Sequence, residues 1–136
     1  MKQYTLNKIQ NNNQKYFTIE LGLLPGYKKG TEYTILDVIN IYEDWLKDRI
    51  NNNLMAIPAK VTPTKFIYGF KSTEIIINSE NAVSIQGEVI RKYCPEIFDD
   101  NEKVLKIIIA LAEKLGKGLK QERIHITFHS QKYILE

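Results

Sequence analysis

Apolar and polar positions change period along this chain, and the changes mark its elements. Phe17, Ile19, Leu21 and Leu23 alternate with Tyr16, Thr18, Glu20 and Gly22. Period two with aromatic and β-branched residues predicts a half-buried strand. Pro25-Gly26 ends it, and Tyr27 to Gly30 is expected as a basic loop. The period then lengthens. Ile35, Val38, Tyr42, Trp45 and Arg49 fall on one helical stripe, widened by Ile39, Ile41 and Leu46. Thr34 with Asp37 three residues on predicts a capping box at the start of this helix. Asn51-Asn52-Asn53 is expected to end it, because Asn tolerates the left-handed cap conformation.

Residues 54–93 read as strands. Met55 to Val61 contains Pro58, which predicts an edge or a bulge, and Thr62-Pro63-Thr64 is expected to break the run. Phe66, Tyr68 and Phe70 share one face, opposite Lys65, Ile67 and Gly69. Glu74 to Ile77 and Val83 to Ile90 are predicted strands, with Asn78-Ser79-Glu80-Asn81 as a hairpin turn between them. After a connector at 93–98, a second helix is expected from Asp99, with Glu102 completing another capping pair. Its apolar face is Val104, Leu105, Ile108, Leu111, Ala112 and Leu115, and Gly116 is expected to close it. Ile124, Ile126 and Phe128 alternate with His125, Thr127 and His129 in a last long strand. Tyr133 to Leu135 forms a short return strand after Ser130-Gln131.

Strand, helix, three or four strands, helix and strand is the β-α-β-β-α-β order. It predicts an α+β, ferredoxin-like two-layer sandwich: a mostly antiparallel sheet of five or six strands with two helices on one face. Right-handed crossovers then bring the first and last long strands together at the centre. A polar lead-in, residues 1–15 with the Asn11-Asn12-Asn13 triplet, precedes a single domain over 16–136.

Composition removes several chemistries. The 136 residues hold one cysteine, Cys94, which excludes an internal disulfide and a cysteine-rich zinc site. No apolar run approaches the ~20 residues of a membrane span, and no leader-like apolar segment follows Met1. A cytoplasmic protein without a membrane contact is expected. The net charge of +3 is spread without a dense arginine stripe, the only arginines being Arg49, Arg91 and Arg123. Sequence-specific nucleic-acid binding is therefore not expected. Abundant Ile, Lys and Asn fit an A+T-rich bacterial or phage genome.

Chemistry concentrates on the uncovered sheet face. If Phe17, Ile19, Leu21, Ile124, Ile126 and Phe128 lie under the helices, then Tyr16, Thr18 and Glu20 stand beside His125, Thr127 and His129. Lys65 and Ile67 are expected to join them from a neighbouring strand. A metal between the two histidines is excluded by spacing: four strand residues separate their Cβ atoms by roughly 13 Å, and ligand atoms must lie about 2.1 Å from one ion. No cofactor is expected either. His125-Ile126-Thr127 resembles one half of the two-histidine phosphoesterase signature, but the facing half is missing. An RNA-recognition-motif platform lacks its aromatic pair on the last strand. No glycine-rich phosphate loop opens a helix. Arg91-Lys92-Tyr93 and Tyr27-Lys28-Lys29 are basic-aromatic triplets, in which Arg91 suits bidentate contact with an anion.

These features predict a small binding module more than an enzyme. Tyr16, Thr18, Lys65, Arg91, His125, Thr127 and His129 are its expected ligand residues. The open face would serve self-association, as a homodimer, or a small anionic ligand such as a nucleotide. One alternative is a small hydrolase or isomerase with His125 or His129 as general base and Glu20 as its partner. Another is a phage or mobile-element accessory protein that binds a host protein through the acidic side of the first helix, at Glu43 and Asp44.

Overall fold

The molecule is described by a computed structural model that covers residues 2–7, 13–26, 30–129 and 131–136. The basic triplet Tyr27-Lys28-Lys29, the first two residues of the Asn11–Asn13 triplet and Ser130 of the last turn lie outside these residues. The elements run β1 (Gln14–Gly22), α1 (Ile35–Asn51), β2 (Ala59–Lys71), β3 (Ile75–Ile90), α2 (Asn101–Gly118), β4 (Ile124–Phe128) and β5 (Gln131–Leu135). A 3-10 turn at Arg91–Tyr93 follows β3. All neighbouring strands are antiparallel, in the order β2-β3-β1-β4-β5. Thus α1 carries the chain from β1 over β3 to β2, and α2 carries it from β3 over β1 to β4. These two interlocked split crossovers make the ferredoxin-like α+β sandwich. β1 and β4 are adjacent at its centre, as expected, with β5 added outside β4.

The covered sheet face explains the strand alternation. Phe17, Ile19 and Leu21 of β1 join Val83, Ile85 and Val89 of β3 and Ile124, Ile126 and Phe128 of β4 in one buried layer. Val38, Tyr42 and Trp45 of α1 and Val104, Ile108, Leu111 and Leu115 of α2 close it from above. Gly87, opposite Phe17 in register, is where the Phe17 ring lies; a Cβ there would collide with it. The α1 capping box is present. Asp37 N donates to Thr34 Oγ1 at 3.3 Å, and Thr34 N donates to Asp37 Oδ2 at 2.8 Å. Such a cap is worth about 1 kcal/mol. Asn52 caps the far end, and Asn53 takes the left-handed conformation, φ 57°.

Four local expectations are corrected. β2 runs unbroken through Thr62-Pro63-Thr64, because it is the edge strand, where a proline whose nitrogen faces solvent removes no ladder bond. The Asn78–Asn81 segment is not a turn. It pairs with Tyr68–Lys65 inside a continuous β3, and the hairpin reverses at Ser72, whose N–H donates to Glu74 O at 2.9 Å. The α2 cap is Asp100, which accepts from Lys103 N at 3.2 Å, while Asp99 pairs elsewhere. Gly116 does not stop α2, which continues to Gly118. Its missing side chain lets the helix approach Ile124 of β4, and Gly118 likewise approaches Ile41 of α1.

Candidate functional site

Register fixes which side chains share the open face. Thr18 lies between Gln86 of β3 and Thr127 of β4, and Glu20 between Ser84 and His125. The row extends outward to Lys60 and Thr62 of β2, opposite Gln86 and Ser84, and to Lys132 and Ile134 of β5, opposite Thr127 and His125. Tyr16, Thr18, Glu20, His125 and Thr127 are therefore brought together as expected.

Lys65 is not among them. It pairs with Asn81, in the row continuous with Val61 and Ile85 on the helix side, so Phe66 and not Lys65 faces the open side. His129 also leaves the row. β4 ends at Phe128, His129 turns at φ 52°, and its ring stands edge-on to Phe128 at 4.5 Å. One left-handed residue is enough to break strand alternation. Arg91 sits beyond the far end of β3. It forms a two-pronged pair with Asp99, 2.8 Å on each arm, and lies over the Phe98 ring at 4.4 Å. That guanidinium holds the Asp99 carboxyl below the usual carboxylate range. Lys15 approaches the same ring at 4.5 Å and donates to Asn101 Oδ1 at 2.7 Å. The Arg91 group thus ties β3 to the start of α2, apart from His125.

The open face is cupped. Phe66 and His125 belong to strands separated by β3 and β1, a flat-sheet distance of roughly 14 Å at ~4.8 Å per strand. Their ring centroids are 6.1 Å apart, tilted by 58°. Sheet twist carries the outer part of the β2–β3 hairpin over β1 toward β4. Glu80, opposite Phe66, comes with it. Its carboxylate occupies the space where a side chain at Gly22 would project, with Gln121 Oε1 beside it.

Three hollows lie along this cup. One, about 340 Å³, adjoins Phe66, Glu80, Gln121, Glu122, Arg123 and His125. The next, about 200 Å³, is lined by Glu20, Phe66, His125, Thr127, Lys132 and Ile134. The third, about 340 Å³, lies between Tyr16, Thr18, Lys60, Gln86 and Glu88. Tyr16 is held by its hydroxyl, which donates to Gln14 Oε1 at 2.5 Å. The cup therefore pairs carboxylates with aromatic rings at one end and hydroxyl and amide groups at the other. Glu20 is the register partner of His125. Among the described residues, no three His, Cys, Asp or Glu side chains gather as a metal-binding group. No helix of the described residues is long and apolar enough to cross a membrane.

Phe66, Glu80, Gln86 and Lys60 were not expected here. Their signal was the even-numbered register of β2 and β3, which a false break at Pro63 and a false turn at Asn78–Asn81 concealed.

No protein-family model and no curated protein sequence matches the chain. Two solved structures do. A phage SAM lyase in complex with S-methyl-5'-thioadenosine matches at 20% identity, over 96% of this chain and 95% of that one, with a TM-score of 0.66. A phage SAM lyase in its apo state matches at 18% identity over the same shares, with a TM-score of 0.56. At these identities the likeness is one of fold, and it spans nearly the full length of both chains.

Proposed function

We propose that the cup binds an adenosine sulfonium of the S-adenosylmethionine class and breaks its carbon–sulfur bond. The observation that carries this reading is the near-complete fold match with a lyase whose complex holds S-methyl-5'-thioadenosine. The cup supplies a compatible chemistry. Glu20 and Glu80 set negative charge beside the rings of Phe66 and His125, and carboxylates and aromatic faces both attract a sulfonium cation. Thr18, Gln86 and Tyr16 offer hydrogen bonds and a ring to the nucleoside. The ligand expected from sequence was anionic; in this reading it is a cation at sulfur.

The reaction asks little of acid–base groups. The bond between sulfur and the γ-carbon of the methionine chain breaks, and its electron pair stays on sulfur. S-methyl-5'-thioadenosine leaves neutral, so no proton donor is required. The γ-carbon is taken by the ligand's own carboxylate oxygen, closing a five-membered lactone. Charge balances, because one carboxylate negative and one sulfonium positive charge cancel. The protein's part is to fold the ligand so that oxygen, carbon and sulfur align, and to strip water from the attacking carboxylate. Glu20 and Glu80 serve recognition, since the sulfonium charge fades as the bond breaks. His125 is a wall of the cup here and not a general base.

The test is incubation of purified protein with S-adenosylmethionine, with chromatographic detection of S-methyl-5'-thioadenosine. Turnover is expected, and Glu80→Gln should lower kcat/KM about ten-fold, which corresponds to ~1.4 kcal/mol. Absence of product together with absence of S-methyl-5'-thioadenosine binding by calorimetry would end this reading.

We also propose that the chain self-associates. Ile67, Ile75 and Ile77 stand exposed on one face of the outer β2–β3 hairpin and Tyr68 and Phe70 on the other, an apolar arm of the kind that marks contact sites. Light scattering after size exclusion should give an oligomer for the wild type and a shift toward monomer for Ile77→Lys with Phe70→Glu. A wild-type monomer rejects the proposal.

A further inference from the structure

Away from the cup, in the helix layer, a cavity of about 470 Å³ opens between the end of α1, the chain entering β2 and the connector after β3. That volume lies within the ~300–1,000 Å³ range of small-molecule sites. Leu54, Met55, Ile97 and Ile107 give it apolar walls, and Cys94 and the exposed Glu96 also line it. Arg49 lines it too, although only 9% of this residue is exposed.

The Arg49 guanidinium is fixed on two sides. Nε donates to Met55 O at 2.8 Å, and the group lies over the Trp45 ring at 5.0 Å. Among the described residues, no carboxylate comes within ion-pair distance of it, and its Nη groups have no hydrogen-bond acceptor. No side-chain nitrogen is sealed from solvent without a partner, so the Nη groups are reached from the cavity. A buried cation without a counter-ion is costly, so a ligand that supplies the missing charge is favoured there. The fork of two Nη groups matches the two oxygens of a carboxylate.

We propose that this cavity is a binding site for a small monocarboxylate with an apolar tail, its charge held by Arg49 and its tail packed against Leu54, Met55, Ile97 and Ile107. It is separate from the cup and does not depend on the lyase reading. Inorganic phosphate satisfies the guanidinium but leaves the walls empty. A neutral amide of the same tail fills the walls but leaves the guanidinium bare. Both should bind worse than the carboxylate.

Cys94 is the chain's only cysteine and lines the cavity with 8% of its surface exposed, so its slow modification by a maleimide, read beside the thermal midpoint, reports occupancy of the cavity. Hexanoate, hexanamide and inorganic phosphate are compared at equal millimolar concentrations. Hexanoate should slow Cys94 modification several-fold and raise the thermal midpoint, with smaller effects from the other two. No protection by hexanoate, or equal protection by hexanamide, overturns the proposal. Arg49→Lys keeps the charge but loses the fork, and should weaken hexanoate protection about ten-fold. If that variant fails to fold, Ile107→Trp fills the cavity from α2. With an unchanged circular dichroism spectrum it should lose the hexanoate effect on the thermal midpoint, and a retained effect overturns the proposal.

Discussion

The two halves of β3 share one backbone ladder and end in different surroundings. The inner half, Ala82–Ile90, lies between β2 and β1, and its Val83, Ile85 and Val89 are buried beneath the helices. The outer half, Ile75–Asn81, pairs with β2 alone, and its Ile75 and Ile77 are 73% and 67% exposed. Ladder hydrogen bonds say where a strand runs. A covered row of side chains decides how much that strand contributes to stability. The outer half is thus free to carry contact residues and the Glu80 arm of the cup, while the inner half holds the fold.

The sharpest way to break this comparison is truncation in each half. Ile85→Ala should cost about 2–5 kcal/mol by urea denaturation, and Ile77→Ala should stay within about 0.5 kcal/mol on the monomer. Similar losses would mean that the outer half is covered after all. Adding a methyl group is a milder probe. Gly87→Ala must displace the Phe17 ring and should cost about 1–3 kcal/mol. At Gly69 the new Cβ meets the end of the Ile77 side chain at 2.7 Å and Ile76 O at 3.1 Å, with no buried ring to displace, so Gly69→Ala should cost less than Gly87→Ala.

The smallest effect is a pH dependence in the cover of the inner half. Tyr42 is buried and donates to Ile57 O, and burial pushes its phenol up to about 12, with Arg49 opposing the shift. The unfolded phenol ionises near 10. The neutral tyrosine therefore contributes fully below about pH 10, and that contribution is lost as pH rises toward 12. Wild-type stability should fall relative to Tyr42→Phe across this window and keep a constant gap below pH 9. A gap that stays constant to pH 12 would place Tyr42 in water.

The same division explains what the residues disclose. Alternation at Phe17, Ile19, Leu21 and at Ile124, Ile126, Phe128 is legible because the helices cover one face, so period two means in and out. Those rows give the two-layer fold, the central pairing of β1 with β4, and the cup members Tyr16, Thr18, Glu20, His125 and Thr127. Alternation on outer β2 and β3 has no covered face to report. Phe66, Tyr68 and Phe70 resemble a core row and line the open side instead. Pro63 and the Asn78–Asn81 segment imitate turn signals, yet an edge strand tolerates the first and a long ladder absorbs the second. The approach of Phe66 to His125 arises from sheet twist, which no local spacing encodes. The displacement of His129 rests on a single residue with positive φ.

The central place of β1 has a consequence for how the chain is made. Both ladder partners of β1 come late: Gly87, opposite Phe17, follows it by about 70 residues, and Phe128 on its other side by still more. On the ribosome, at ~5–20 residues per second, β1 waits several seconds for its first neighbour. During that interval Phe17, Ile19 and Leu21 have neither ladder partner nor α2, the helix that packs on β1. High contact order of this kind slows folding. The nascent chain's early hydrophobic strand is therefore exposed to aggregation until β3 and α2, the helix that packs on it, have been made.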